Sequence, residues 1–489
     1  MSQRLNLALA ALNPHLGALP GNAARILAAR ADAVSQGADL LLTPQASLCG
    51  HPVLDLARDA GFRTACDAAL AGLAAATADG GPALLVGAPA LEAGALHDTT
   101  FLLGEGRILA RRARHAVPER DGPFQPGPAP GPIAFHGIRL GLMAGADLAD
   151  PSVAETLAES GAELLLCPGA TPAGVTDTAL EIDLAVARVV ETGLPLAWVG
   201  QWGGQWGGQE EDVYAGGGFV MNADRSLALR LPEMGDALAV AAWQREAEGW
   251  HCAPQPLPAA LAGEARLWRL LTLGLADHVA RNGFAGAAVP LDGGFGAALV
   301  LALAADALGV ARVRALMPED ASPDAAIRLG IAWRRVPTIA VPGCEAPEAA
   351  RRLHDAIMLS LAKARSEALL PGFDRTTWLL GEAATPGGFA PLKGLYASEA
   401  HGLARWRGLD VAAAVPDSAT DAILEALADR GLAPGTLAAQ GFDPAMASAL
   451  WRRMHRGGYK RQQASPGMTL GRWRDRHAPL THGFTDPAS

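Results

Sequence analysis

Lysine is almost missing from this chain. Lys363, Lys393 and Lys460 are the only three in 489 residues, and arginine supplies the rest of the 40 basic side chains. Chemistry that needs a deprotonatable amine therefore has few candidates. Cysteine is also scarce. The five, at 49, 66, 167, 252 and 344, lie far apart without a CxxC spacing, which suggests neither a zinc site nor a disulfide framework. No uninterrupted apolar run reaches membrane-spanning length, and the longest, near 297–311, breaks at Asp306. The opening MSQRLNLALAALNP lacks a long apolar region with a cleavage site and reads as a strand. A net charge of −10 argues against generic nucleic-acid binding. Together these absences predict a soluble, cytoplasmic protein with no metal site and neither nucleic acid nor membrane as a partner.

What is abundant is short apolar segments. Hydrophobic residues make up 50% of the chain and charged ones only 18%, enough for the large cores of two or three domains. Over residues 1–250, runs such as LNLALAAL, DLLLTPQ, ALLVGAPAL, IRLGLMAGADL and LPLAWVGQ read as strands. They alternate with helical stretches such as GNAARILAARADAVSQGA and TALEIDLAVARVVETG, which predicts an α/β fold of the αββα sandwich kind. Residues 251–264, HCAPQPLPAALAGE, read as a linker. From 265 onward a long helix and a series of βα units predict a doubly wound parallel sheet, with ligands at the carboxyl ends of its strands, and the domain runs to 489 with a basic tail.

Two local features stand out. WGGQ occurs twice in tandem within GQWGGQWGGQ, residues 200–209. So glycine-rich a stretch predicts a loop rather than a regular strand. Its Trp202 and Trp206 are either neutral passengers of a duplication or exposed contacts for assembly. The second feature is Asp292-Gly293-Gly294-Phe295-Gly296-Ala297, between an apolar strand and an alanine-rich helix. Its layout is that of a phosphate-binding turn, with backbone N–H groups and a helix N-terminus facing an anion. It carries no Ser, Thr or Lys, and an aspartate at its mouth repels a nearby phosphate by roughly 1 kcal/mol or more.

Several long segments carry a resemblance. LALAALNPHLGALPGNAARILAARADAVSQGADLLLTPQASLCGHPVLDL resembles the opening of the nitrilase-like amidase domain of glutamine-dependent NAD synthetases. LPLAWVGQWGGQ and DVYAGGGFVMNAD resemble a later strand pair of that domain. GGFAPLKGLYASEAHGLARWR and GGYKRQQASPGMTLGRWRDRHAPLTHGF resemble the synthetase domain and its tail. The likeness covers nearly the whole chain in order. It implies a nitrilase-like amidase domain over 1–250 and an N-type ATP pyrophosphatase-like synthetase domain over 265–489. In the family, the amidase releases ammonia from glutamine. The synthetase uses ATP and Mg to adenylate nicotinic acid adenine dinucleotide and then aminates it to NAD.

Carried over residue by residue, the family's Glu–Lys–Cys triad falls on Gln45, Arg114 and Gly145, with Asp147 retained beside the last. A neutral amide cannot act as the general base, and glycine has no nucleophile; in a protease, losing the nucleophile costs about a millionfold. Cys49 and Cys167 are read as apolar fillers rather than relocated nucleophiles. In the synthetase loop, Asp292 and Ala297 stand where the family has serines, and Gly296 where it has aspartate; Gly293 and Gly294 keep the turn. A lysine and a glutamate of the ATP and metal site are lost to a shortening before GGFAPLK. Lys393 and the run Tyr459-Lys460-Arg461 keep the family pattern, which implies a role in holding an adenine dinucleotide or in a subunit interface.

These substitutions predict a catalytically inactive homologue, with no intact catalytic residue and no cofactor, serving a structural, self-assembling or interaction role. It is expected to form a homo-oligomer, up to a filament, or to associate with an active NAD synthetase. Two alternatives stay open. One is a sensor of NAD, its acid precursor or a nucleotide. The other is an active ATP-dependent NAD synthetase using nicotinic acid adenine dinucleotide, Mg and ATP with glutamine or ammonia.

Overall fold

The computed structural model describes residues 3–118, 122–175, 180–207, 210–337, 347–383, 387–409 and 416–472. The chain divides into two compact units. The first is Met1–Gly208 with Tyr214–Leu261, and the second is Gln209–Val213 with Ala262–Ser489.

The first unit opens with β1 (Arg4–Ala11), α1 (Leu19–Ser35), β2 (Leu40–Leu42), α2 (Ala60–Ala76), β3 (Ala83–Glu92), β4 (Ala95–Gly104) and β5 (Arg107–Ala113). It continues through β6 (Ile133–Phe135), β7 (Ile138–Leu142), α3 (Pro151–Glu159), β8 (Leu164–Gly169), α4 (Leu180–Thr192) and β9 (Leu196–Gly200). Strands β10 (Trp202–Gly207), β11 (Glu210–Ala215, of which 210–213 count with the second unit), β12 (Gly218–Met221), β13 (Leu227–Leu231), β14 (Ala237–Glu246) and β15 (Gly249–Cys252) follow. The two large sheets are ordered β15-β14-β1-β2-β3-β4-β5 and β13-β12-β9-β8-β7-β6, and β10 and β11 pair by themselves.

The layers follow from the period-2 direction of strand side chains. On β1, Leu5, Leu7 and Leu9 enter the core shared by the two sheets, while Ala8 and Ala10 face α1 and α2. On β8, Leu164 and Leu166 enter the same shared core, and Leu165 and Cys167 face α3 and α4. Helices therefore cover both outer faces, and the sandwich is αββα as expected. Helix α2 had no counterpart in the sequence reading; Asp59 caps it by accepting from Phe62 N.

The tandem WGGQ stretch is a strand, β10, contrary to expectation. Its small residues allow close approach: Gly203 has φ +102° and lies against the Asn13 side chain, and Gln205 Nε2 donates to Pro14 O at 2.5 Å. Trp202 packs on the inter-sheet core and donates from Nε1 to Asp236 Oδ1 at 3.0 Å, so it is already engaged. The Trp206 side chain lies outside the described residues.

The second unit begins with α5 (Gly263–Arg281), β16 (Gly286–Pro290), α6 (Phe295–Leu308), β17 (Val313–Met317), α7 (Asp324–Leu329), β18 (Ala332–Arg335), α8 (Pro347–Lys363) and β19 (Glu367–Leu369). Six helices follow: α9 (Arg375–Leu379), α10 (Ala397–Trp406), α11 (Ser418–Ala428), α12 (Pro434–Leu437), α13 (Pro444–Arg456) and α14 (Gly458–Arg461). Its four strands are all parallel, in the order β18-β17-β16-β19. The chain runs outward from β16 and returns on its other side at β19. The switch point, where such sheets take ligands, therefore lies beyond the carboxyl ends of β16 and β19.

Candidate functional site

Gln45, Arg114 and Gly145 come together in the first unit. The loop after β2 carries Gln45, whose side chain is buried and donates from Nε2 to Asp98 Oδ2 at 2.5 Å. Arg114, just past β5 and 1% exposed, brings Nε to 3.3 Å from the same oxygen. Its backbone N–H donates to Asp98 O at 2.8 Å, so the continuing β4–β5 ladder aligns the two side chains. Gly145 follows β7 with φ +53°, a conformation that favours glycine. A Cβ there would lie 2.7 Å from Gln45 Cδ and 2.9 Å from Nε2. The Gln45 amide thus fills the space a side chain at 145 would occupy. Asp98, which cross-links the cluster, was not recognised in the sequence; nothing marks it there except its place in a strand.

Asp147 closes the cluster. Its Oδ1 accepts from His115 N at 3.0 Å and Ala116 N at 2.6 Å, and Oδ2 accepts from Ala144 N at 3.2 Å. Burial pushes its pKa up to about 6, against the opposing pull of these N–H groups and of Arg114. Cys49 and Cys167 are fully buried in the helix-facing cores, and burial holds both thiols well above their ordinary pKa. A thiol so placed is a poor nucleophile.

In the second unit, Asp292–Ala297 lies at the switch point. Asp292 is exposed and folds its Oδ1 back onto Gly294 N at 2.9 Å; Gly293 has φ +89°. Gly296 has a steric reason to be glycine. A Cβ there would fall on Gly372 O, on the loop after β19, so this turn packs backbone to backbone. Phe295 meets the His401 ring edge-on at 5.6 Å, and His401 Nε2 is buried without a hydrogen-bond partner.

The retained basic residues separate by burial. Lys393 is 6% exposed, donates from Nζ to Ser465 O at 3.2 Å and sits 4.7 Å above the Trp378 ring. Arg461 also faces Trp378 and donates to Leu379 O at 2.9 Å. Tyr459 and Lys460 are exposed on α14. Residues 473–489, the end of the basic tail, lie outside the described residues, as do 384–386 before GGFAPLK.

A further buried pair escaped the sequence reading. His278 on α5 hydrogen-bonds through Nδ1 to Glu211 Oε2 at 2.7 Å, beneath the stacked Phe389 ring at 3.7 Å. Glu211 N donates to Gly467 O, and Thr469 N donates to Glu211 O, both at 3.1 Å. Thr469 Oγ1 donates to Asp212 Oδ1 at 2.6 Å. Burial raises the Glu211 pKa, while the histidine beside it works in the opposite direction. Gly467 and Thr469 thus hold the 211–212 segment.

Among the described residues no group of three or more His, Cys, Asp or Glu could hold a metal ion, and no helix is long and apolar enough to cross a membrane.

Comparison with known proteins gives the same picture at both scales. Residues 6–250 match the carbon-nitrogen hydrolase family. The whole chain is similar to a protein of Rhodobacter capsulatus named glutamine-dependent NAD(+) synthetase, 30% identical over 99% of this chain and 100% of the relative. A protein of the same name from Xanthomonas campestris is 27% identical over 98% of each chain. Among solved structures, the glutamine-dependent NAD+ synthetase of Acinetobacter baumannii, in complex with ADP, aligns with a TM-score of 0.76 at 23% identity over 99% of each chain. That of Cytophaga hutchinsonii aligns with a TM-score of 0.79 at 15% identity over 98% of each. At these identities the two structures establish the fold. The sequence relatives, full length and named as enzymes, overturn the expectation of an inactive chain with a structural, self-assembling or interaction role. That expectation gave altered side chains at two loops more weight than kinship along the entire chain.

Proposed function

As this chain belongs to the glutamine-dependent NAD synthetase family, with a carbon-nitrogen hydrolase domain in its first half, we propose that it is an ATP-dependent carbon–nitrogen ligase that converts nicotinic acid adenine dinucleotide to NAD. The observation that carries this reading is collinear similarity from end to end, at 30% identity, to a relative bearing that activity in its name. On this reading the pyridine carboxylate attacks the α-phosphorus of ATP and pyrophosphate leaves. Ammonia then displaces AMP from the acyl adenylate. Magnesium enters with ATP as part of the substrate.

The second unit supplies the place for that chemistry at the β16/β19 switch point. Helix α6 begins there, just past the glycine turn, with no side-chain cap on its first backbone N–H groups. They can contact phosphate oxygens without side-chain hydroxyls. Ammonia is the nitrogen donor on this reading, because Gly145 offers no nucleophile and the neutral Gln45 amide occupies the adjoining space. Lys460, exposed on α14, is the proposed cation for the dinucleotide phosphates, while Lys393 is committed to Ser465 and Trp378. Self-association accompanies the activity in this proposal; association with a separate active synthetase has no place in it.

The test is NAD formation by the purified full chain from nicotinic acid adenine dinucleotide and MgATP, with ammonium or glutamine supplied. Product with ammonium, and little with glutamine, is the expected outcome. Equal rates with both would remove the assignment of ammonia as donor. No product with either, against a heat-treated control, would sink the synthetase reading.

A further inference from the structure

Asn282 takes no part in the ligase reading, and its neighbour sets it apart from every other asparagine of the chain. Asn6 precedes leucine, Asn13 proline, and Asn22 and Asn222 alanine, whereas Asn282 precedes glycine. Asparagine is a labile residue, and its side-chain amide is open to attack by the next backbone nitrogen. Glycine has no Cβ to screen that nitrogen or to restrict its approach. Asn13, Asn22 and Asn222 are also buried, while Asn282 and Gly283 are both exposed.

The glycine serves the helix stop. Asn282 ends α5, and Gly283 turns the chain with φ +70°, the left-handed conformation that terminates a helix. Three hydrogen bonds close this end. Asn282 Nδ2 donates to His278 O at 2.8 Å, Gly283 N to Ala280 O at 3.2 Å and Phe284 N to Val279 O at 3.0 Å. While they hold, the attacking nitrogen and the amide it would displace are both tied to helix carbonyls. All three lie at a helix terminus, which frays before the fold as a whole opens. The end also supports a buried contact. The Phe284 ring stacks on His278 at 6.1 Å, His278 bonds Glu211 at 2.7 Å, and the Glu211 backbone bonds Gly467 and Thr469.

We propose that Asn282–Gly283 is a self-modification site: the folded chain deamidates there through fraying of the α5 end, and the product loosens the His278–Glu211 contact. The Gly283 nitrogen attacks Asn282 Cγ, and the new C–N bond closes a five-membered succinimide. The side-chain nitrogen leaves as ammonia, carrying the proton given up by Gly283. Water then adds to one ring carbonyl or the other, leaving aspartate or isoaspartate. Either product sets a carboxylate at the negative end of the helix, facing the His278 carbonyl that the amide had bonded. Isoaspartate also lengthens the backbone by one methylene, so the Gly283 and Phe284 hydrogen bonds lose their register. The reaction does not depend on the ligase reading.

The experiment incubates the purified full chain at mildly alkaline pH in buffer, in urea short of the unfolding transition, and in denaturing urea. Residue 282 is followed by peptide mass analysis and by isoaspartyl methyltransferase labelling. Product should form at 282 and at no other asparagine of the folded chain. It should form roughly tenfold more slowly than in the unfolded chain, at a rate that low urea changes little, because only the helix end has to open. Asn282→Gln keeps the amide but disfavours the five-membered ring, and should form almost none. In the modified wild type, hydrogen exchange at the Glu211 and Thr469 amides should rise by about two- to tenfold, and Asn282→Asp should show the same rise without incubation. Absence of product at 282 in the folded chain, while the unfolded chain forms it, overturns the proposal. So does a rate that climbs steeply with low urea, which marks reaction through global unfolding, or unchanged exchange at Glu211 and Thr469 once 282 is modified. The incubated wild type decides the matter even if Asn282→Asp does not fold.

Discussion

If the Gln45 amide fills the space beside Gly145, a methyl group placed at 145 must evict it, and the cost should vanish when Gln45 is shortened first. Gly145→Ala carries two costs. Its φ of +53° is unfavourable for any residue with a Cβ, by about 1 kcal/mol. The new Cβ also falls within 2.9 Å of Gln45 Cδ and Nε2, so the side chain swings away and gives up its bond to Asp98. A hydrogen bond to a buried carboxylate is worth about 1.5–3 kcal/mol. The single variant should therefore lose about 2.5–4 kcal/mol in urea denaturation of the full chain, followed at the first unit's tryptophans. In a Gln45→Ala background only the conformational cost remains, about 1 kcal/mol. The cycle should return a coupling of about 1.5–3 kcal/mol. Additive effects, with Gly145→Ala costing about 1 kcal/mol in both backgrounds, would refute the reasoning. The amide would then have another resting place, and the argument for ammonia as donor would lose its steric half.

Other outcomes follow from the same geometry. Asp147 has a folded-state pKa of about 6, above its ordinary 3.8, so its protonated form favours the fold. Its contribution of about 3 kcal/mol is present in full below pH 4 and is lost as the pH rises through 6. The stability difference between wild type and Asp147→Asn, followed by urea midpoints from pH 4 to 7.5, should shift in favour of the variant as the pH rises; a flat difference would contradict the assignment. Gly296→Ala drives a Cβ into Gly372 O and should lower stability by about 1–3 kcal/mol or more, together with synthetase activity. An unchanged melting temperature would mean that the turn and the β19 loop can separate freely. Lys393→Met should cost about 2–4 kcal/mol through loss of the Ser465 and Trp378 contacts. Lys460→Ala should leave stability within about 0.5 kcal/mol and raise the KM for the dinucleotide; the reverse assignment of effects would exchange their roles.

The layers of the first unit were legible because leucine and alanine alternate on β1 with the period of an extended chain, and two faces buried differently need two kinds of residue. The β10 strand was not legible, since glycine signals a loop unless one knows that Asn13 and Pro14 lie alongside it. Gln45, Arg114 and Gly145, named through resemblance as the positions of the family's triad, lie together in the first unit. What the string of letters could not show is that Asp98 joins them or that Gln45 takes up the room beside residue 145. Gly296 taught a similar lesson. Read as a missing carboxylate, it proves to be a steric requirement set by Gly372, a residue 76 positions later. Lys393 kept a family pattern, and the reason is visible only in its burial against Ser465. Kinship over the whole chain then outweighed the inventory of altered side chains.

Anyone dividing this gene into halves would cut in the proline-rich stretch after β15, and the fragment starting at Ala262 would lack Gln209–Val213. That fragment would keep His278 under its Phe389 lid without the carboxylate it bonds, and the 467–469 backbone without its two hydrogen bonds to Glu211. The second half is therefore not self-sufficient as a sequence interval. Its missing part is a handful of residues encoded upstream of the obvious cut. A synthetic peptide covering that interval should act in trans as the complement, much as a small fragment restores a split reporter.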